Sequence, residues 1–195
     1  VLSGNNTYTG TTTVNAGTLQ AAAAGATGNS TVINVTGGSF LVTAANAVSD
    51  STDINLNNGR MAMSGNFSET VGALTLSANS TIDFSGFTGI LRFSGINSWA
   101  SAATLSVWNW SGQPQYGSAV NTNYGPSQLV FTNNATLTSN LANISFYSGS
   151  GSGFIGNGFE VSGFSGGGSE IIAVPEAETY LTGVILLLGI GIHLC

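Results

Sequence analysis

The sequence predicts an all-β protein: a parallel β-solenoid (β-helix) with coils of about 21 residues, an irregular β cap and a short C-terminal hydrophobic helix. Three observations carry this. Apolar residues recur at a 21-residue step through the first half of the chain. The composition favours short strands and tight turns, with 28 Gly among 195 residues and 42% hydrophobic residues. The chain then changes character at its end, where "VPEAETYLTGVILLLGIGIHLC" follows a Gly- and Ser-rich stretch. An antiparallel sandwich with Gly-rich hairpins is the competing architecture, and regular spacing of whole strand pairs favours the solenoid.

The repeat is read directly from the residues. Leu19, Phe40, Met61 and Ile82 follow one another at the same interval, as do Ala21, Val42, Met63 and Phe84. Gly17, Gly38 and Gly59 keep the step just before them. Upstream of each Gly lies a second strand signal, "TTVNA", "TVINV" and "TDINL", in which apolar residues alternate with Thr or Asn. Alternation of this kind belongs to a strand with one buried face. One such coil cannot bury its own apolar side, so coils stack and the recurring residues form an internal ladder. Asn15, Asn34 and Asn55 recur beside it. They read either as an Asn ladder bonded from coil to coil or as solvated turn residues.

The expected organisation is solenoid over 1–95, irregular β cap over 96–147, a Gly/Ser-rich segment over 148–173, and a Val-Pro-Glu-Ala motif with hydrophobic helix over 174–195. The register drifts after Phe84, although "ILRFSG", "TLSVWNWSG", "QLVFT", "ISFYSG" and "EIIAV" still read as strands. A cap is required because an open sheet edge templates further pairing. The Gly/Ser-rich stretch reads as flexible, with one strand at Phe159 to Val161.

Composition excludes several functions. Two Arg, Arg60 and Arg92, and no Lys stand against eight carboxylates, for a net charge of −6. Nucleic acid binding needs cations to neutralise phosphates, so no nucleic acid partner is expected. Cys195 is the single cysteine, which leaves no internal disulfide. His193 is the single histidine and lies in the apolar tail. No catalytic residue, metal site or cofactor is therefore expected. Asp50 and Asp53 fall in a turn, and Asp83, alternating with Ile82 and Phe84, is expected to face solvent. Arg60 or Arg92 alone is thin support for lyase chemistry. Trp99, Trp108 and Trp110, with Tyr116 and Tyr124, form the densest aromatic region. They read either as a plug at the solenoid end or as a platform for stacking on sugar rings.

The tail is short for its hydrophobicity. Leu181 to Leu194 would be roughly 21 Å long as a helix, against about 30 Å of bilayer core. Gly183, Gly189 and Gly191 offer a face for close helix packing, with Leu181 and Leu186 beside them. Both membrane insertion and packing between copies are open to it, and the chain ends at Cys195.

Two stretches resemble known families. "LSGNNTYTGTTTVNAGTLQ", Leu2 to Gln20, resembles the passenger-associated strand repeat of bacterial autotransporters, a resemblance that implies a parallel β-helix exported to the cell surface. Val174-Pro175-Glu176-Ala177, with the apolar run behind it, resembles the PEP-CTERM sorting signal, which implies processing by an exosortase-like membrane protease during export. Ala177 stands where that signal usually has a second Pro, and its terminal Arg run is absent. That departure points to a chain trimmed or cut short after Cys195, as the opening at Val1 points to a removed leader or a fragment. The implied protein is a non-enzymatic, exported structural protein at the bacterial outer surface or in extracellular matrix. It is presented or assembled through its C-terminal segment, with other copies of itself as partners in a filament. The alternative is a glycan-binding adhesin that uses Trp99, Trp108 and Trp110.

Overall fold

The computed structural model describes residues 1–112, 125–133, 137–162 and 168–175. Among them the chain winds as a succession of short strands onto three faces, each built by stacking successive coils in parallel. The first face orders β1 (Thr12–Val14), β3 (Val32–Val35), β5 (Asp53–Leu56), β9 (Leu74–Leu76) and β12 (Ile96–Trp99). The second orders β2 (Thr18–Ala21), β4 (Ser39–Val42), β6 (Arg60–Met63), β10 (Ser80–Asp83), β13 (Leu105–Trp108) and β15 (Ile144–Tyr147). On the third, β7 (Gly65–Asn66) and β8 (Glu69–Val71) both pair with β11 (Phe87–Phe93), which pairs in turn with β14 (Ser127–Phe131).

The register on the second face aligns Leu19 with Phe40, Phe40 with Met61 and Met61 with Ile82, then continues to Val107 and Phe146. Phe40, Met61, Ile82, Val107 and Phe146 are fully buried, whereas Leu19 in the first coil is only partly so. Ala21, Val42 and Met63 form the second inward column, and Phe84 is buried just past the end of β10. Aromatic rings fill the inside of the later coils. Phe84 stacks on Phe87 at 5.4 Å, Phe93 on Phe131 at 5.2 Å, and Trp110 meets Phe146 edge-on at 4.9 Å.

The Gly column has a steric cause at the corner between the first two faces. A Cβ at Gly38 would lie 2.7 Å from Val14 Cγ1, and one at Gly59 would lie 2.4 Å from the Val35 carbonyl oxygen. Those positions point inward where the two sheets converge, so only a hydrogen fits.

On the outside of the first face, Thr13, Asn34, Asn55 and Thr75 share one row. Asn55 Nδ2 donates to Asn34 Oδ1 at 2.8 Å, one coil away. Asn15 stands outside this ladder. The register places Thr13 against Asn34, so Asn15 lies past the strand end and accepts instead from the Thr36 hydroxyl.

The parallel stack continues past residue 95 through β12, β13 and β15. It ends in an antiparallel hairpin, β16 (Phe154–Ser162) and β17 (Ser169–Val174), within the stretch whose composition suggested a flexible Gly/Ser segment. The glycines there serve packing: a Cβ at Gly158 would come within 3.0 Å of Ile144 Cβ and the Leu141 carbonyl oxygen. The hairpin joins β15 to β14, pairing antiparallel with each. It thereby occupies the lower hydrogen-bonding edges of the second and third faces. At the other end, Leu2 N–H donates to the Gln20 carbonyl and Ala22 N–H to that of Leu2, so the first residues lie along the upper edge of β2.

Met61→Asp places an unpaired charge in a fully buried column and is expected to cost about 4 kcal/mol or more. Leu19→Asp, at the partly buried start of the same column, is expected to cost less than half as much. Urea melts of both variants check the gradient, and equal losses would show that the column has no exposed end.

Candidate functional site

Outward positions of the second face form two rows. Ser39, Arg60, Thr81 and Ser106 align in one, and Leu41, Ala62, Asp83 and Trp108 in the next. Arg60 and Asp83 sit diagonally on neighbouring strands, and Arg60 Nη1 lies 3.2 Å from Asp83 Oδ2. Arg60 Nε donates to Ser39 Oγ at 3.2 Å. Asp83 Oδ1 accepts from Asn109 Nδ2 at 2.7 Å and from the Ser85 backbone N–H at 3.0 Å. Asn109 reaches it from a left-handed backbone, φ 52°, a conformation Asn tolerates better than most residues.

Asp83 does point away from the core, as its alternation implies, but it is not in solvent: it is 4% exposed. Arg60, Asn109 and the following turn cover it. A buried carboxylate held by three donors is a fixed anchor, and here it holds a half-exposed guanidinium in place. Beside this pair, at the corner of the first two faces, a groove of about 330 Å³ runs along the stack. Gly38 and Gly59 form its floor, Asn58, Arg60 and Asn79 its polar margin, and Trp108 one end.

The three tryptophans do not share a surface. Trp110 is 4% exposed and packs in the core on Phe146. Trp99 lies on the first face, half-buried, its Nε1 donating to the Ala103 carbonyl at 2.8 Å. It borders a separate groove of about 430 Å³ between β12 and the 3-10 helix Thr138–Asn143. Trp108 alone reaches the corner groove. Tyr116 and Tyr124 lie outside the described residues.

Asp50 falls in the turn expected of it, whereas Asp53 opens β5. Asp53 ties coils together, accepting from the Ala73 N–H at 2.8 Å and from Asn97 Nδ2 at 2.9 Å. Of the four residues that resemble a sorting motif, Val174 ends β17 opposite Asn157 and Pro175 follows it. Glu176, Ala177, Leu181, Gly183, Leu186, Gly189, Gly191, His193 and Cys195 lie outside the described residues.

Two buried carboxylates were not singled out by sequence reasoning. Glu69 Oε1 accepts from the Val48 N–H at 2.7 Å, while Oε2 has no partner among the described residues. Burial raises its pKa to about 7, against the opposing backbone hydrogen bonds of Val48 and Asn46. Glu170, on β17 between Val130 and Val161, has neither oxygen hydrogen-bonded among the described residues, and burial raises it to about 8. Its place at the head of the apolar run "EIIAV" was the available signal.

Both groups make stability depend on pH. Both folded values lie above 4.5, so the folded chain binds more protons than the unfolded one between them. Stability is therefore full below about pH 4.5 and falls as pH rises through 7 and 8. The slope is on the order of 1.4 kcal/mol per pH unit for each group. Thermal melts from pH 4.5 to 9 are expected to show a falling Tm, and Glu170→Gln to flatten most of that fall. A Tm that rises across this range would contradict the assignment.

Among the described residues no helix is long and apolar enough to cross a membrane. No curated protein and no solved structure matches the chain. The passenger-associated-transport-repeat family model matches residues 1–21, the stretch that supplies β1, β2 and the Leu2 bridge above them. Over those residues, the first coil of the solenoid, this chain is similar to that family.

Proposed function

We propose that the chain is the exposed body of an exported bacterial surface protein, with a structural and non-enzymatic role. The observation that carries this reading is the passenger-type repeat over residues 1–21, whose coil geometry is then repeated through the parallel stack. A solenoid of this kind projects an extended surface from few residues, because each coil contacts only its neighbours. It has few cations, two Arg against eight carboxylates in the whole sequence, which suits display rather than capture of a polyanion.

In this reading the C-terminal segment does the presenting. Val174-Pro175-Glu176-Ala177 is the site met by an exosortase-like membrane protease, and the apolar run Leu181 to Leu194 first enters the membrane. Gly183, Gly189 and Gly191 then allow the tail to pack against other copies, giving a filament or matrix subunit. The lower edges of the second and third faces are occupied by the β16–β17 hairpin. That cover supports the reading in which copies meet through the tail.

Protease shaving of intact cells that make the full chain is expected to release fragments of it, and retention behind the outer surface would refute display. In detergent, sedimentation is expected to give oligomers for the full chain and a monomer for the chain ending at Pro175. Gly189→Leu is expected to impair assembly while leaving lipid partition intact. A full chain that stays monomeric and only partitions into lipid makes the tail an anchor alone.

A further inference from the structure

We propose that the corner groove beside Arg60 and Asp83 is a binding site for a neutral glycan, with Trp108 as its stacking surface. Four features of the groove converge on that class of ligand.

Its shape is that of a trough. The floor is made by glycines from successive coils, Gly17, Gly38 and Gly59, followed by Ser80. Coils lie about 4.8 Å apart, so these residues extend the floor over roughly 14 Å along the stacking axis. The volume, about 330 Å³, is at the small end of ligand sites and suits a few linked rings rather than a globular ligand.

Its hydrogen-bonding groups are fixed before any ligand arrives. Arg60 has five N–H donors, of which Nε and one Nη1 hydrogen are committed to Ser39 and Asp83. The rest of a side chain that is 43% exposed can address hydroxyl groups. Asn79 spends its carbonyl oxygen on the Thr104 N–H at 3.0 Å, which leaves its amide N–H groups for the groove. Ser39 and Thr81 add hydroxyls beside them.

Its charge selects against acids. Asp83 neutralises Arg60 at 3.2 Å, and the chain carries a net charge of −6. A polyanionic chain would meet one already-paired cation in a repulsive field. A hydroxyl-rich neutral ligand pays no such penalty. Finally, Trp108 supplies an aromatic surface for the apolar side of a sugar ring. Gly151 holds one edge of that ring, since a Cβ there would be 3.3 Å from Trp108 Cζ2. The site stands apart from the display role and survives if that role fails.

The test titrates the full chain with cellohexaose, maltohexaose, laminarihexaose and chitohexaose, following calorimetry and tryptophan fluorescence. Polygalacturonate and heparin serve as anionic controls. At least one neutral hexaose is expected to bind, and Trp108→Ala to weaken it by about tenfold or more. Trp99→Ala is expected to leave binding unchanged. Should Trp108→Ala lower the melting temperature, the double variant Arg60→Gln with Asp83→Asn keeps the charge balance. It is then expected to lose affinity with its melt intact. The proposal is overturned if no neutral hexaose binds at millimolar concentration, if only the anions bind, or if Trp99→Ala abolishes binding while Trp108→Ala does not.

Discussion

Everything in this molecule depends on successive coils stacking in register. A parallel ladder satisfies the backbone only if each strand finds its counterpart one coil away. The side-chain period of two then forces every inward position to repeat. Slipping the coil of β4 by a single residue would turn Phe40 outward, away from Met61, and bring Ser39 in. Apolar columns, the Gly corner and the Asn34–Asn55 pair are consequences of that single constraint. So is the outer Arg60–Asp83 pair, which exists because two strands present neighbouring outward rows at a fixed diagonal.

The same constraint creates the problem of ends. A stack of identical coils leaves pairing groups at both termini, and the chain deals with them by different means. The lower end changes strand direction: β16 and β17 run antiparallel and bridge β15 to β14. The upper end lays Leu2 along β2. A hairpin cap of this kind does more than block growth. It carries Glu170 into the interior without a hydrogen-bond partner among the described residues, where burial raises its pKa to about 8.

The 21-residue period was legible because it rests on side-chain identity at buried positions, where hydrophobicity repeats: Phe40, Met61 and Ile82 announce themselves. The all-β class followed for the same reason. The hairpin was hidden because Gly156 and Gly158 sit within its first strand, and glycine required by close packing looks in a sequence like glycine that confers flexibility. Asn15 misled because polar spacing is a weaker guide than apolar spacing; Thr13 holds the position that continues the ladder. The groove was only half legible. Trp108 stood out by residue type, but its separation from Trp99 and Trp110 depends on which face each strand joins. Asp83 was correctly placed on the outward side, yet its burial comes from Arg60 and Asn109, which lie 23 and 26 residues away in the chain.

Disulfide trapping tests the register most directly. In a Cys195→Ser background, the pair Thr13→Cys and Asn34→Cys faces across adjacent parallel strands, with Cα atoms about 4.8 Å apart and within reach of a disulfide. The pair Asn15→Cys and Asn34→Cys is displaced along the strand by two residues, about 6.6 Å. In-register stacking predicts rapid oxidation of the first pair and little of the second. Preferential trapping of the second pair, or of neither in a folded chain, would contradict it.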